Sequence, residues 1–185
     1  TVLNGRFDHG PYQPATLTEA MRARGQALMC CAVPQEDLEI DVETLEPLAK
    51  HEFDATVVGM ERLAPEVIRL LLQPPADLKL DFIAGQYLNV ILEDGERRAF
   101  SFANPPMQRP LIDLHVRRIA GGRFTGHVFE GMKVGDTLRL EGPLGRFTLR
   151  EGERPIIFLA GATGFAPVKS IIEDAFTRGI TRPMR

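Results

Sequence analysis

Residues 97–125 read RRAFSFANPPMQRPLIDLHVRRIAGGRFT. Two runs of strand-forming residues, Arg97–Ala103 and Ile112–Arg118, are separated by the breakers Asn104-Pro105-Pro106 and followed by the glycine pair Gly121-Gly122. The next residues predict one helix from about Thr125 to Met132, with Thr125 as N-cap, Val128, Phe129 and Met132 as its apolar residues, and Lys133-Val134-Gly135-Asp136 as its exit. Outward from this stretch, Ala55–Met60, Val67–Leu72, Tyr87–Leu92, Thr137–Leu140 and Phe147–Leu149 read as further short strands between Gly, Pro and Asp-Gly punctuation. Short strands at this spacing make residues 47–152 a small antiparallel barrel or sandwich.

The flanks have a different texture. Residues 1–46 hold a turn-rich opening and a short helix candidate, with Thr16 as N-cap, Glu19 completing a capping box, Leu17, Ala20 and Met21 on one face, and Gly25 as the stop. That is too little apolar material for a convincing core of its own. From Pro155 the run Ile156-Ile157-Phe158-Leu159-Ala160 is continuously apolar, as expected of a buried parallel strand. The loop Gly161–Gly164 and a helix over Phe165–Phe176 follow, so residues 153–185 read as the first βα unit of a doubly wound domain.

Composition excludes several function classes. The chain has 185 residues, 44% hydrophobic and 25% charged, which is globular composition. Its formal charge of −3 gives no net positive field to attract nucleic acid or an anionic membrane. Of 22 basic residues, 18 are arginine, which suits planar phosphate recognition and also fits simple coding bias. The two cysteines, Cys30 and Cys31, are adjacent, which excludes a disulfide framework. The absence of a long apolar run or a secretory leader points to a cytoplasmic protein without a membrane partner.

Three constellations carry chemistry. Arg98-Ala99-Phe100-Ser101 places an anion-binding guanidinium, an aromatic plate and a hydroxyl on one strand; taken alone, the same residues describe an ordinary edge strand with one core phenylalanine. Arg117-Arg118-Ile119-Ala120-Gly121-Gly122-Arg123-Phe124-Thr125 runs from a strand through glycines into a helix start, the composition of an anion site or of a plain strand-to-helix turn. Gly161-Ala162-Thr163-Gly164-Phe165-Ala166-Pro167 lies between strand and helix, a context suited to a nucleotide phosphate, although it lacks both GxGxxG and P-loop spacing. His9, His51, His115 and His127 share no metal-ligand spacing, and no carboxylates pair for acid–base work.

Read in order, Gly85-Gln86-Tyr87, Arg98-Ala99-Phe100-Ser101, Gly121–Thr125, Gly135-Asp136, GPLGRF at 142–147 and GATGFAP at 161–167 resemble the ferredoxin–NADP reductase superfamily. Within it, the sequence is similar to the CDP-6-deoxy-3,4-glucoseen reductases and, next, to the reductase components of phenol hydroxylase. The resemblance implies a mainly β fold: a six-stranded antiparallel Greek-key barrel that binds FAD, preceded over residues 1–46 by the end of a plant-type ferredoxin domain and followed over 153–185 by the start of an NAD(P)H domain. It implies that Arg98, Ala99, Phe100, Ser101, His115, Val116, Arg117, Gly121, Gly122, Phe124 and Thr125 meet FAD, with Ser101 as the catalytic contact near the flavin N5. Gly161, Thr163, Gly164 and Pro167 would meet NAD(P)H.

The segment ALMCCAVPQEDLEI matches the part of a plant-type [2Fe-2S] domain that holds the last cluster cysteine, which makes Cys30 a ligand and Cys31 its neighbour. The other three ligands would lie before Thr1, so the chain reads as an internal piece that cannot assemble the cluster alone. The implied activity is hydride transfer from NAD(P)H to FAD and single-electron delivery to an acceptor protein, a deoxysugar dehydratase or an oxygenase. A reductase of free flavin and a non-catalytic flavin-binding module are the rival readings. The family often has Tyr where Phe100 stands, so a hydroxyl contact is missing while stacking survives.

Overall fold

The computed structural model describes residues 1–41, 50–107 and 111–185. The chain forms two compact units, Thr1–Glu46 and Pro47–Arg185.

In the first unit, β1 (Val2–Asn4) pairs with β4 (Glu39–Ile40), and β2 (Phe7–Asp8) pairs with β3 (Val33–Pro34), both antiparallel. The helix α1 (Glu19–Ala23) is capped by Thr18, not Thr16: the Thr18 hydroxyl accepts from the Met21 N–H at 3.3 Å, while the Thr16 N–H is spent on the Gln13 carbonyl. Gly25 takes φ +73 and ends the turn as expected. No residue of α1 is buried; Leu17, just ahead of the cap, supplies the buried apolar contact.

The second unit is a barrel. Its strands are β5 (His51–Ala64), β6 (Val67–Gln73), β7 (Tyr87–Ile91), β8 (Arg97–Ser101), β9 (Ile112–Arg117) and β10 (Thr137–Leu144). They form one antiparallel sheet in the order β8-β7-β10-β5-β6-β9, with the last strand inserted between the first and the third, a Greek-key order. The two edges, β8 and β9, meet through the bridge Phe102↔Leu114 and an Ala103 N–H bond to the Asp113 carbonyl at 2.8 Å, which closes the sheet at one end.

Alternation fills the interior. Ile68, Leu70 and Leu72 of β6 face Ile112, Leu114 and Val116 of β9, with Ala55, Val57, Leu88, Val90 and Leu140 completing the layers. Each such side chain contributes roughly 1.5–3 kcal/mol through burial. Phe82 stacks on Phe102 with centroids 4.0 Å apart, and Phe124 and Val128 of α2 (Arg123–Glu130) join the same core.

Several expectations need correction. The helix α2 begins two residues before Thr125, with Gly122 as N-cap; the Thr125 hydroxyl reaches back instead, accepting from the Ile119 N–H at 3.2 Å. Met132 lies beyond the end of α2. Phe147–Leu149 forms no strand, because β10 runs on to Leu144 and Gly145, at φ +91, turns the chain away.

Ile156–Ala160 is not a buried strand either. Ile157 is 81% and Leu159 96% exposed. Parallel pairing is nevertheless present: Ile156 bridges to Met184, with Ile156 N–H on the Pro183 carbonyl and Phe158 N–H on the Arg185 carbonyl, both at 2.8 Å. One short pair with one helix cannot cover both faces of an apolar run. That helix, α3 (Phe165–Thr177), packs on the barrel through Ala166, Val168, Ile171 and Ala175. Its Ser170 hydroxyl donates to the Asn104 carbonyl at 2.7 Å and its Lys169 ammonium to the Ala103 carbonyl at 2.9 Å. Among the described residues, no helix is long and apolar enough to cross a membrane.

Candidate functional site

The closing bridge defines a seam. From Phe102↔Leu114 the antiparallel register sets Ser101 opposite His115, Phe100 opposite Val116 and Ala99 opposite Arg117, and no further bridge joins the two strands among the described residues. Six of the expected residues thus fall opposite one another by register across the seam, with Ala99 and Arg117 as the exposed outer pair. Phe100 and Ser101 are half-buried, and Val116 is fully buried. Phe100 also packs on Phe124, with centroids 5.2 Å apart, so the strand and the start of α2 share one aromatic wall.

The helix start supplies donors. Among the described residues no side chain caps α2, so the N–H groups of its first turn at Arg123, Phe124 and Thr125 have no side-chain acceptor. Gly121 holds φ +72, a backbone shape that L side chains rarely adopt. A Cβ on Gly122 would stand 2.5 Å from the Thr125 hydroxyl, so this position must stay bare for the turn to close.

Two arginines converge at the same end. Arg98 on β8 and Arg123 on α2 both donate to one oxygen of Glu96, at 2.5 and 2.7 Å, and Arg123 also donates to Asp94 at 2.6 Å. The guanidinium of Arg98, with that of Arg123 behind it, holds the Glu96 carboxyl below its ordinary range; Arg123 does the same to Asp94. The carboxylate oxygen between two guanidinium groups is a stand-in for a phosphate oxygen, so the residues present fit a phosphorylated ring: anion clamp at one end, aromatic wall and hydroxyl at the other.

The sequence reading counts Arg123 in the glycine-rich anion-site stretch but not among the FAD contacts, and by starting the helix at Thr125 leaves it outside; the fold puts it at the first helical position. A cation at the first position of a helix opposes the macrodipole, and such placement is unfavourable unless an anion is nearby.

The glycine segment lies at the other side of His115. Gly161 precedes a single 3₁₀ turn, Ala162–Gly164, in which Ala162 takes φ +49; Pro167 sits in the first turn of α3, where among the described residues no side chain caps the helix. Thr163, Phe165 and Lys169 line a cavity of about 350 Å³ together with Val67, Arg69 and His115. The cavity therefore joins the β9 strand to the glycine segment. His115, which shares no metal-ligand spacing and which the family resemblance sets against FAD, is a wall of it. Its imidazole is held below the ordinary range, first by burial and then by the cations Lys169 and Arg69, against the pull of Asp113. Asp113 is buried, accepts from Arg69 at 2.9 Å, and leaves its second oxygen without a hydrogen-bond partner among the described residues, 3.9 Å from the His115 ring.

Cys30 is exposed and its sulfur lies 3.6 Å from that of Cys31. Among the described residues no three His, Cys, Asp or Glu groups are placed to hold a metal. A plant-type cluster takes four thiolates and residues 1–185 hold two, so these residues do not by themselves complete a [2Fe-2S] donor set.

Residues 54–149, more than half of the chain, match the family described as oxidoreductase FAD-binding domain. The chain belongs to this family. The FAD-binding domain match takes in the whole seam, α2 and both arginines, while Cys30 and the 161–167 segment lie outside it.

Full-length comparisons agree with the family. The chain is 40% identical to the CDP-6-deoxy-L-threo-D-glycero-4-hexulose-3-dehydrase reductase of Yersinia pestis, over 98% of this chain and 55% of that protein. It is 37% identical to the phenol 2-monooxygenase reductase component DmpP of Pseudomonas sp. strain CF600, over 98% of this chain and 53% of that protein. The crystal structure of the Amycolatopsis cytochrome P450 reductase GcoB superposes with a TM-score of 0.70 at 34% identity, covering 99% of this chain and 57% of that one. Phthalate dioxygenase reductase, described as a modular structure for electron transfer from pyridine nucleotides to [2Fe-2S], gives 0.63 at 25% identity over 72% of this chain and 42% of that one. The chain spans about half the length of the curated relatives it matches.

Proposed function

We propose that this FAD-binding chain is the flavin-holding part of an NAD(P)H-dependent electron-transfer reductase that serves a dehydratase or an oxygenase. The observation that carries the reading is the Glu96 oxygen held between Arg98 and Arg123 at the uncapped start of α2, one aromatic wall away from Phe100 and Ser101. Bound FAD would supply the chemistry, accepting a hydride from NAD(P)H and giving up electrons singly.

The chain's own residues do the rest. Arg98 and the N–H groups from Arg123 to Thr125 hold the diphosphate, with Gly121 and Gly122 letting the backbone come close. Phe100, backed by Phe124 and facing Val116, presses on the ring, and Ala99 keeps its flank open. Ser101 donates a hydrogen bond at the reacting edge, and His115 and Arg117 line the opposite strand. Gly161, Thr163, Gly164 and Pro167 hold the phosphates of NAD(P)H, a reading supported by the cavity that Thr163 of this segment shares with His115. Cys30 is assigned as one ligand of a [2Fe-2S] centre whose other thiolates come from outside residues 1–185. The acceptor is assigned from the relatives, which are named as reductases for a dehydrase and for a phenol monooxygenase.

The visible spectrum of the purified chain, with the released cofactor identified by mass, tests this directly. Flavin bands and a released mass of FAD are expected; a colourless protein that stays colourless after addition of FAD overturns the reading.

A further inference from the structure

The anion clamp is already occupied from within the chain, and this has a functional meaning that rests on the flavin reading above. The β7–β8 hairpin is a tight turn: Leu92 N–H bonds the Glu96 carbonyl at 2.8 Å, Gly95 N–H bonds the Leu92 carbonyl at 2.8 Å, and Gly95 sits at φ +82. Asp94 accepts from the Glu96 N–H at 3.0 Å, which orders the tip. From this tip two carboxylates reach out. Glu96 takes Arg98 of its own hairpin, and Asp94 and Glu96 together take Arg123 of α2, a residue 27 to 29 positions away.

All four side chains are about half exposed. Neither burial nor packing requires these pairs. What they do is present the two cations in one place, already converged, with a replaceable negative oxygen between them.

We propose that the tip of the β7–β8 hairpin is an internal anion latch: Glu96, aided by Asp94, occupies the diphosphate position until a dinucleotide displaces it, and Arg123 is the second arm of the clamp, a positioning residue beside Arg98. A ligand must outcompete carboxylates for both guanidinium groups at once. A diphosphate ester carries enough charge and oxygens for both arms, whereas a monophosphate reaches one; the latch therefore selects FAD over FMN. Riboflavin, with no phosphate, has no stake in the competition.

This gives a three-ligand test on the intact chain, with flavin fluorescence quenching to obtain the dissociation constants of riboflavin, FMN and FAD. Removing the latch charge in Glu96→Gln leaves a side chain of the same size, releases Arg98 from its carboxylate and leaves Arg123 to Asp94 alone. Its two ion pairs are exposed and individually weak, so FAD is expected to bind about three- to tenfold more tightly. Riboflavin affinity is expected to stay unchanged. Arg123→Ala is expected to weaken FAD by about tenfold, to leave riboflavin unaffected, and to narrow the preference for FAD over FMN. Asp94→Asn, which removes one of the two latch carboxylates, is expected to move FAD in the same direction as Glu96→Gln by a smaller factor.

Equal FAD affinity in Glu96→Gln and the unaltered chain, with riboflavin still bound, overturns the latch. A parallel shift of all three flavins in the variants also overturns it, because the effect then lies in the barrel and not in phosphate competition. Failure of every form, the unaltered chain included, to bind riboflavin overturns the flavin reading itself.

Discussion

Glu141→Gln is expected to destabilise the barrel by an amount that depends on pH. Glu141 lies in β10 with its side chain 4% exposed, taking Lys50 at one oxygen and Asn89 (2.8 Å) and Arg97 (3.1 Å) at the other. The hydrogen bond from Lys50, then that from Asn89, with the charges of Arg97 and Lys50 adding to them, outweigh burial and bring its pKa down from 4.5 to about 2. A carboxyl whose folded pKa lies below its unfolded one stabilises the fold above the unfolded value, and that stability is lost as pH falls toward the folded value. At about 1.4 kcal/mol per pH unit, the gap is worth about 3 kcal/mol at pH 7 and roughly 1.5 kcal/mol at pH 3. Lys50 and Arg97 are about half exposed, and solvent screening brings the neutral-pH figure to about 2 kcal/mol. Urea unfolding followed by circular dichroism, for both proteins at pH 7 and pH 3, gives the difference directly. The difference should shrink by about half at the lower pH. Equal stability at pH 7, or a deficit of the same size at both pH values, would show that Glu141 acts through shape and not charge.

Other outcomes follow from the site. Arg98→Ala is expected to lower FAD affinity about tenfold with little change in thermal stability, since a charge-assisted phosphate bond is worth about 1.5–3 kcal/mol and part of that is offset by releasing Glu96; unchanged flavin content in the purified variant would remove Arg98 from the clamp. Ser101→Ala is expected to retain FAD and slow its reduction by NAD(P)H about tenfold in a full-length reductase, the effect of one hydrogen bond at the reacting edge. Stopped-flow bleaching at the unaltered rate would leave Ser101 without its role.

Much of the barrel was legible because alternation is a local property. The β6 and β9 strands show buried positions at every second residue, and β7 and β8 lie within a residue or two of where their apolar runs put them. Reading failed where an element is fixed from a distance. The far half of β5, with Glu61 and Arg62, looks polar and solvent-bound, yet it pairs with β6 as far as Ala64. Phe147-Thr148-Leu149 looks like a strand and is none, because β10 runs on to Leu144 and Gly145 then turns the chain away from the sheet. Thr125 has the composition of a cap and serves a bond running backwards.

The same division holds at the site. Arg98, Phe100, Ser101 and the glycine pair stand in contiguous motifs, so the sequence could put them forward through the family resemblance that those motifs carry. Arg123 with Asp94 and Glu96, and His115 with Lys169, are partnerships between elements that only the fold brings together.

Ser170 and Lys169 of α3 both fasten to backbone carbonyls, at Asn104 and Ala103, and these two residues directly follow the bridge that closes the barrel. The fastening points are main-chain atoms, so substitution at 103 or 104 need not disturb them. Spacing between the glycine segment and the seam is thereby set by a ruler of peptide units, and the side chains that the proposed function sets against ring, phosphate or nicotinamide can diversify without changing that distance. Under the proposed function, such a scaffold keeps donor and ring at one separation whichever acceptor the reductase serves.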